Sequence, residues 1–334
     1  MKRWSLRIWL AAFFVLAFPF RSPAPLIYTP GEGWTYEAVG GGAWRKTRAK
    51  DQLDVAQAAF DKHDYRLAKK ASQRVLKIWF LSDYAPQAAY LLARCYEADH
   101  QDELAFKEYQ KLLEKYPKAA NYEEVLHRQF AICNRFLNGE RFKLWGYIPT
   151  FPSMDKTVGL YDKVVKNGPY SDVAAQAQMD IGAAREKQTR FLNDKEPFIL
   201  AAKAYETAAD RYHNDPIIAP EALFRAGLAY QKQAETAEYD QSTAGQAIST
   251  FQEFMTLYPD DPRVTRGEQF IAALKTEQAR GNFETAKYYE STHRWKSALI
   301  YYNAVVIQDP KSGYATVALE RITALKKLTD KSGK

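Results

Sequence analysis

The 334-residue chain lacks most of what a catalytic or metal-binding protein displays. It has two cysteines, Cys95 and Cys133, and five histidines, and no histidine pairs at i, i+3 or i+4 with another His or Cys. That leaves no zinc-type ligand spacing. No phosphate loop, no G-x-S-x-G and no H-E-x-x-H occurs. The acidic runs Glu123-Glu124 and Asp260-Asp261 suit helix starts, where carboxylates meet the positive end of the helix dipole. The chain therefore reads as a non-enzyme, with no catalytic residue, no metal and no cofactor. A general basic face is missing too. The net charge is +7, yet residues 1–50 hold eight Lys/Arg against two Asp/Glu, leaving the rest close to neutral. A nucleic-acid binder would spread positive charge over its folded body, so nucleic acid is not expected as a partner. Period-2 alternation is also absent, and no stretch argues for a sheet.

What the chain does have is a recurring six-point pattern: small–x2–aromatic–x8–Ala–x3–aromatic–x2–apolar–x4–Pro. Ala93, Tyr96, Ala105, Tyr109, Leu112 and Pro117 form one complete copy, and Ala286, Tyr289, Ala298, Tyr302, Val305 and Pro310 another. This is the spacing of a two-helix tetratricopeptide unit. The small residues let two antiparallel helices approach, the aromatics fill the space between them, and the proline stops the second helix. Gly227, Tyr230, Ala247, Phe251, Phe254 and Pro259 form a copy with a longer turn. Gly182, Arg185, Ala201, Tyr205 and Ala208 form another, with Pro216 late. Ala131, Asn134, Thr157, Tyr161, Val164 and Pro169 form a weaker one, and Ala56, Ala59, Ala68, Ser72 and Val75 a degenerate first one. The expected fold is all-α: a right-handed solenoid of about six helix pairs over residues 51–328. Tyr314 to Leu328 would be a capping helix, because the last repeat of a solenoid has no neighbour to cover it. Residues 329–334 would be a disordered tail.

The N-terminus reads as an export signal. Lys2, Arg3 and Arg7 precede the uncharged apolar stretch Ile8 to Phe20. That stretch falls short of the about 20 residues that span a bilayer and suits a signal h-region. Residues 1–24 are thus a signal peptide or an uncleaved anchor, with Val15-x-Ala17 and Ser22-x-Ala24 as cleavage candidates. Residues 25–50, rich in Pro and Gly with Tyr28, Trp34 and Tyr36 among them, read as an extended arm. Its end, Arg45-Lys46-x-Arg48-x-Lys50, is either a solvated linker or a contact for anionic lipid.

Cys95 and Cys133 each lie two residues after the small position of their repeat. Stacked helices sit about 8–10 Å apart, and a disulfide needs Cα atoms within about 7 Å, so both are expected as buried core thiols. The insertion Gly139 to Met154 carries Phe142, Leu144, Trp145, Tyr147, Ile148 and Phe151. Such a concentration of apolar side chains in a turn either folds back on the array or forms a contact site.

Several segments in order resemble the BamD family, the tetratricopeptide lipoproteins of the β-barrel assembly machinery. They are Ala85 to Tyr96, Ala105 to Pro117, Ala247 to Pro259, and Ala286-Lys-Tyr-Tyr289 followed by Trp295 to Tyr302. The family's lipobox cysteine is missing, since Ala17 to Ala24 contains no Cys, so the resemblance does not extend to lipidation. It implies a periplasmic scaffold, associated with the outer membrane, whose early repeats capture unfolded outer-membrane clients. The later repeats would dock on a POTRA domain of a BamA-type barrel protein. A different periplasmic adaptor, in envelope biogenesis, division or secretion, is the other reading. First helices line the groove of such an array. Counted from the small positions, Tyr90, Arg94, Arg128, Arg135, Phe224, Phe283 and Lys287 should project into it. There aromatics would stack on client side chains and Arg groups would pair a terminal carboxylate.

Overall fold

The computed structural model describes residues 26–29, 33–36, 44–118, 121–144, 148–192, 196–236 and 241–332. The signal segment expected over 1–24 lies outside the described residues. Thirteen helices follow one another among them. They are α1 (Ala49–Asp61), α2 (Tyr65–Ile78), α3 (Ala85–Ala98), α4 (Asp102–Lys115), α5 (Tyr122–Leu137), α6 (Met154–Asn167) and α7 (Ala174–Leu192). Then come α8 (Glu196–Arg211), α9 (Ile218–Thr236), α10 (Gln241–Leu257), α11 (Val264–Ser291), α12 (Trp295–Gln308) and α13 (Gly313–Ser332). They make six antiparallel pairs and a capping helix, in two compact units, residues 1–122 and 123–334. The fold is an all-α tetratricopeptide-type helical-repeat solenoid.

The pairing rests on the small positions. In the first unit Ala56, Ala68, Ala93, Ala105 and Tyr109 are fully buried, and in the second unit Ala247, Phe251, Ala286 and Ala298 are. A Cβ added at Gly182 would stand 2.4 Å from the Tyr205 ring, and one at Gly227 would stand 2.6 Å from Phe251. Both glycines are therefore close-approach residues that let a second-helix ring lie on first-helix backbone. The ring hydroxyls are satisfied from the first helix. Tyr109 donates to Glu97 at 2.8 Å and Tyr302 to Glu290 at 2.7 Å, each twelve residues upstream.

Three of the five histidines have a backbone task. His63, His100 and His293 adopt left-handed φ of 58°, 53° and 59°. Each stands just past the end of a first helix, five residues before the central Ala of its repeat. The His63 N–H returns to the carbonyl of Phe60 and the next N–H to Ala59, the two bonds of a Schellman closure. His100 and His293 repeat it, and Gly139 (φ 103°) closes α5 the same way.

Four expectations need correction. Two antiparallel ladders exist, β1 (Leu26–Thr29) with β2 (Gly33–Tyr36) and β3 (Lys143–Leu144) with β4 (Ile148–Pro149). The arm thus holds a strand pair, Leu26–Thr29 with Gly33–Tyr36, rather than a single extended chain; both strands carry β-branched and aromatic residues. The repeat region starts earlier than residue 51, since α1 begins at Ala49. The last helix runs to Ser332, past the boundary at 328. The third copy is two residues out of register. Ala131 is exposed, and the buried Cys133 stands at the small position. Phe130, three residues before it, sets its ring 6.0 Å from Tyr161, as Tyr90 does on Tyr109 and Phe283 on Tyr302. Cys95 and Cys133 are buried free thiols, but in the corrected register they no longer occupy equivalent sites.

Candidate protein-binding faces

In the first unit α1, α3 and α4 bring Phe60, Tyr90, Arg94 and Tyr109 together. Arg94 lies one turn after Tyr90 on α3, the spacing at which helical side chains meet. Its guanidinium stacks between Phe60 (5.5 Å) and Tyr90 (5.8 Å), and donates to the Tyr90 hydroxyl at 3.3 Å. Tyr90 in turn packs on Tyr109 at 6.1 Å. Among the described residues no carboxylate pairs with Arg94. A guanidinium carries five N–H donors in a planar fork, so this half-buried group keeps capacity for an outside acceptor. The neighbouring cation is committed internally: Lys69 pairs with Asp99 at 2.5 Å and lies over Tyr96.

The expected groove cations of the second unit each have an acid. Arg128 pairs with Glu124 at 3.0 Å, Arg135 with Glu140 at 3.9 Å, and Lys287 with Glu284 at 3.2 Å. Arg225 binds Glu221 at 2.5 Å. Arg263 is the most enclosed, lying over Phe224 (5.1 Å) and Phe254 (5.5 Å). Two of its nitrogens reach the Asp261 carboxylate, at 2.8 and 2.7 Å, and a third reaches Glu221. Hydrogen bonding to Arg263 holds the Asp261 carboxyl below the usual carboxylate range.

The structure brings Tyr90 to Arg94 and Phe283 to Lys287, whereas Arg128 and Arg135 pair with separate acids. Tyr90 and Arg94 belong to the first unit and the others to the second. Phe224 is not available for stacking: it is 4% exposed, inside a cluster with Phe251, Phe254 and Phe270. Counting along a helix face placed it in the groove, but the rings of α10 and α11 cover that face. Phe283 is half-buried, packing on Tyr302 (5.6 Å) and Tyr314 (5.5 Å), with Lys287 over its edge.

Sequence reasoning missed two groups. Tyr289 and Tyr301 stack at 5.4 Å and 15°, with Tyr288 set against Tyr289 and 63% exposed. On α12, Ile300 and Ile307 are exposed one stripe apart, on a helix that is apolar on both faces and so has an outer face suited to cover. The paired tyrosines of the motif were the available signal. The second group lies between α5, α6 and α7. Tyr161 donates to Asn134 at 2.5 Å and meets Asp180, whose carboxyl burial pushes above the carboxylate range. No motif marks that site.

The sequence profile of the outer membrane lipoprotein family YfiO matches residues 169–332, and a tetratricopeptide repeat profile matches residues 87–119. The chain is a BamD-like tetratricopeptide repeat protein. Both matched families are of the scaffold, protein-interaction type. No curated protein matches the sequence. Solved structures similar to this BamD-like chain include the C-terminal part of a tetratricopeptide protein from Cytophaga hutchinsonii. It is 14% identical, covering 81% of this chain and 88% of that one, with a TM-score of 0.35. A tetratricopeptide protein from Parabacteroides merdae is 11% identical, with coverages of 83% and 98% and a TM-score of 0.33. The type IV pilus biogenesis factor PilW is 15% identical, with coverages of 81% and 98% and a TM-score of 0.26. No helix among the described residues of the BamD-like chain is long and apolar enough to cross a membrane.

Proposed function

We propose that this BamD-like chain is an exported periplasmic scaffold in outer membrane protein assembly, with two protein-binding faces of different chemistry. The early repeats take the C-terminal carboxylate of an unfolded β-barrel client on Arg94, with Tyr90 and Phe60 beside it. The final repeat, Phe283, Lys287, Tyr288 and the outer stripe of α12, docks on a POTRA domain of a BamA-type partner. The observation that carries this reading is Arg94, a guanidinium stacked on two rings without an acid of its own. A charge-assisted, bidentate carboxylate contact is the strong interaction open to such a group.

The test is titration of a labelled C-terminal peptide of an outer-membrane protein, with its amidated twin as control. Arg94→Glu should weaken capture at least about tenfold, the loss of one anchor residue, and leave POTRA docking intact. Equal binding of the amidated peptide would overturn the carboxylate assignment. A specific observation favours the adaptor reading as well: the matching family is named for lipoproteins, yet the segment Ala17 to Ala24 has no cysteine. Intact-mass measurement of the envelope-purified chain tests that observation: a diacylglycerol adduct would show a lipidated chain and remove the support for the adaptor. Failure of both client and POTRA binding would leave the adaptor.

A further inference from the structure

The insertion between α5 and α6 is the place where the chain spends large apolar side chains outside the helix pairs. Its base is built into the fold. Phe142 is 3% exposed and stacks on Phe136 of α5 at 4.1 Å and 9°. Lys156 of α6 lies over the same ring at 5.0 Å. The backbone N–H and the hydroxyl of Thr150 both donate to the Phe142 carbonyl at 2.7 Å, which closes the foot of the β3–β4 hairpin. From that fixed foot the side chains point outward: Ile148 is 52% and Phe151 89% exposed. In sequence, Trp145-Gly146-Tyr147 joins the two strands.

The nearby acids are engaged by the array: Glu140 by Arg135 at 3.9 Å, and Asp155 by Arg185 at 2.6 Å and Gln188 at 3.0 Å. Arg141 is exposed and Lys143 half-exposed on the hairpin itself. The hairpin is also a poor template for another strand. Each of its strands has two residues, the second contains Pro149, and Pro152 follows. Proline offers no N–H to a partner's ladder and blunts an edge. What remains is a short element on a fixed foot, with exposed Ile148 and Phe151 and cationic flanks. Exposed Ile and Phe side chains gain by leaving water for the acyl boundary, and Lys and Arg are drawn to anionic headgroups.

We propose that the β3–β4 hairpin is a membrane-interface wedge that seats Ile148 and Phe151 in the acyl boundary of an anionic bilayer, with Arg141 and Lys143 at the headgroups. It holds the second unit at a membrane surface without a lipid anchor. This goes beyond the protein-binding faces and stands whether or not those bind as described.

The test uses the full chain carrying Phe151→Cys, labelled there with an environment-sensitive fluorophore. Cys95 and Cys133 are buried, and burial pushes both thiols up, Cys95 to about 12, so label reacts at residue 151. Adding phosphatidylcholine vesicles that contain phosphatidylglycerol should shift emission to the blue, and lipids brominated on the acyl chain should quench it. Ile148→Ser should lower the vesicle affinity about three- to tenfold, the share of one large apolar side chain. Arg141→Gln with Lys143→Gln should remove the preference for phosphatidylglycerol. Unchanged emission while the chain sediments with vesicles would overturn the wedge, because the N-terminal apolar segment would then carry the binding. A blue shift that follows protein concentration without vesicles would overturn it too, in favour of contact with a second copy. An equal response on pure phosphatidylcholine would overturn the headgroup role of the two cations.

Discussion

Arg94 in the first unit and Arg263 in the second are built alike and finished differently. Each guanidinium lies between two aromatic rings: Arg94 between Phe60 and Tyr90, Arg263 between Phe224 and Phe254. Stacking leaves the edge of the fork free to donate in both cases. At Arg263 the edge is filled from within the protein by Asp261 and Glu221. At Arg94 it meets one tyrosine hydroxyl at 3.3 Å. The same side chain in the same aromatic setting is thus a clamp in one place and an open donor in the other, and the acids around it decide which.

The strongest way to break this comparison is to remove each arginine. Arg263→Ala should cost about 2–3 kcal/mol of stability, since it takes away hydrogen bonds to charged groups and leaves Asp261 without its cation. Arg94→Ala should cost under about 1 kcal/mol, mostly lost packing of the side-chain stem. Urea denaturation of both variants checks it, and equal losses would mean that Arg94 is a clamp as well.

A second test strikes the clamp indirectly. Gly227 lies under Phe251, whose ring packs on Phe224 at 5.7 Å, the ring that carries Arg263. Gly227→Ala should overpack that contact by about 1–3 kcal/mol, partly offset by about 1 kcal/mol of better helix propensity. A denaturation midpoint above the parent's would show that the ring has room to move.

The third test turns the open donor into a clamp. Tyr90→Glu places a carboxylate four residues before Arg94, as Glu221 stands before Arg225. Peptide capture should fall about tenfold through competition for the same fork. Stability should change by no more than about 1 kcal/mol. Undiminished capture would sharpen the comparison against Arg94 and move the binding face elsewhere.

Much of this is legible in the sequence, for reasons that individual residues make plain. The pattern at Ala93 to Pro117 and Ala286 to Pro310 specifies a distance between helices, and the same register puts Gly182 and Gly227 under their rings. The acid at i−4 or i−3 is legible as well: Glu124 before Arg128, Glu221 before Arg225, and Glu284 before Lys287, against Tyr90 before Arg94. Other features are hidden because they depend on neighbours distant in sequence. Phe224 has groove-like spacing but lies under rings of α10 and α11. Cys133, not Ala131, holds the small position of its repeat, and the register shows only in the contact of Phe130, three residues earlier, with Tyr161. The histidine caps look like scattered chemistry, yet His63, His100 and His293 mark turns in which a left-handed residue closes the first helix.

The smallest expected effect uses carboxylates to mirror the two arginines. Asp261 has its cation, and hydrogen bonding to Arg263 holds its pKa down. Asp180 is half-buried beside Tyr161 and Gln176, and desolvation, the dominant cause, holds its pKa up. The signs of their pH dependence are therefore opposite. The folded state at Asp261 binds fewer protons than the unfolded chain, so this group contributes stability above the usual carboxylate range and loses it as pH falls through its lowered pKa. At Asp180 the folded state binds more protons, so stability rises as pH falls from its raised pKa toward the unfolded value. Asp261→Asn should then lower the urea midpoint at neutral pH and remove part of the loss on acidification. Asp180→Asn should hold or raise the midpoint at neutral pH, because an amide can donate to the Tyr161 oxygen and costs less to bury than a carboxylate. It should also remove a gain on mild acidification. Midpoints measured from neutral pH down to the carboxylate range decide the matter. Parallel curves for the two variants would show that the cation beside Asp261 does not distinguish these sites, and the contrast between Arg94 and Arg263 would lose its electrostatic basis.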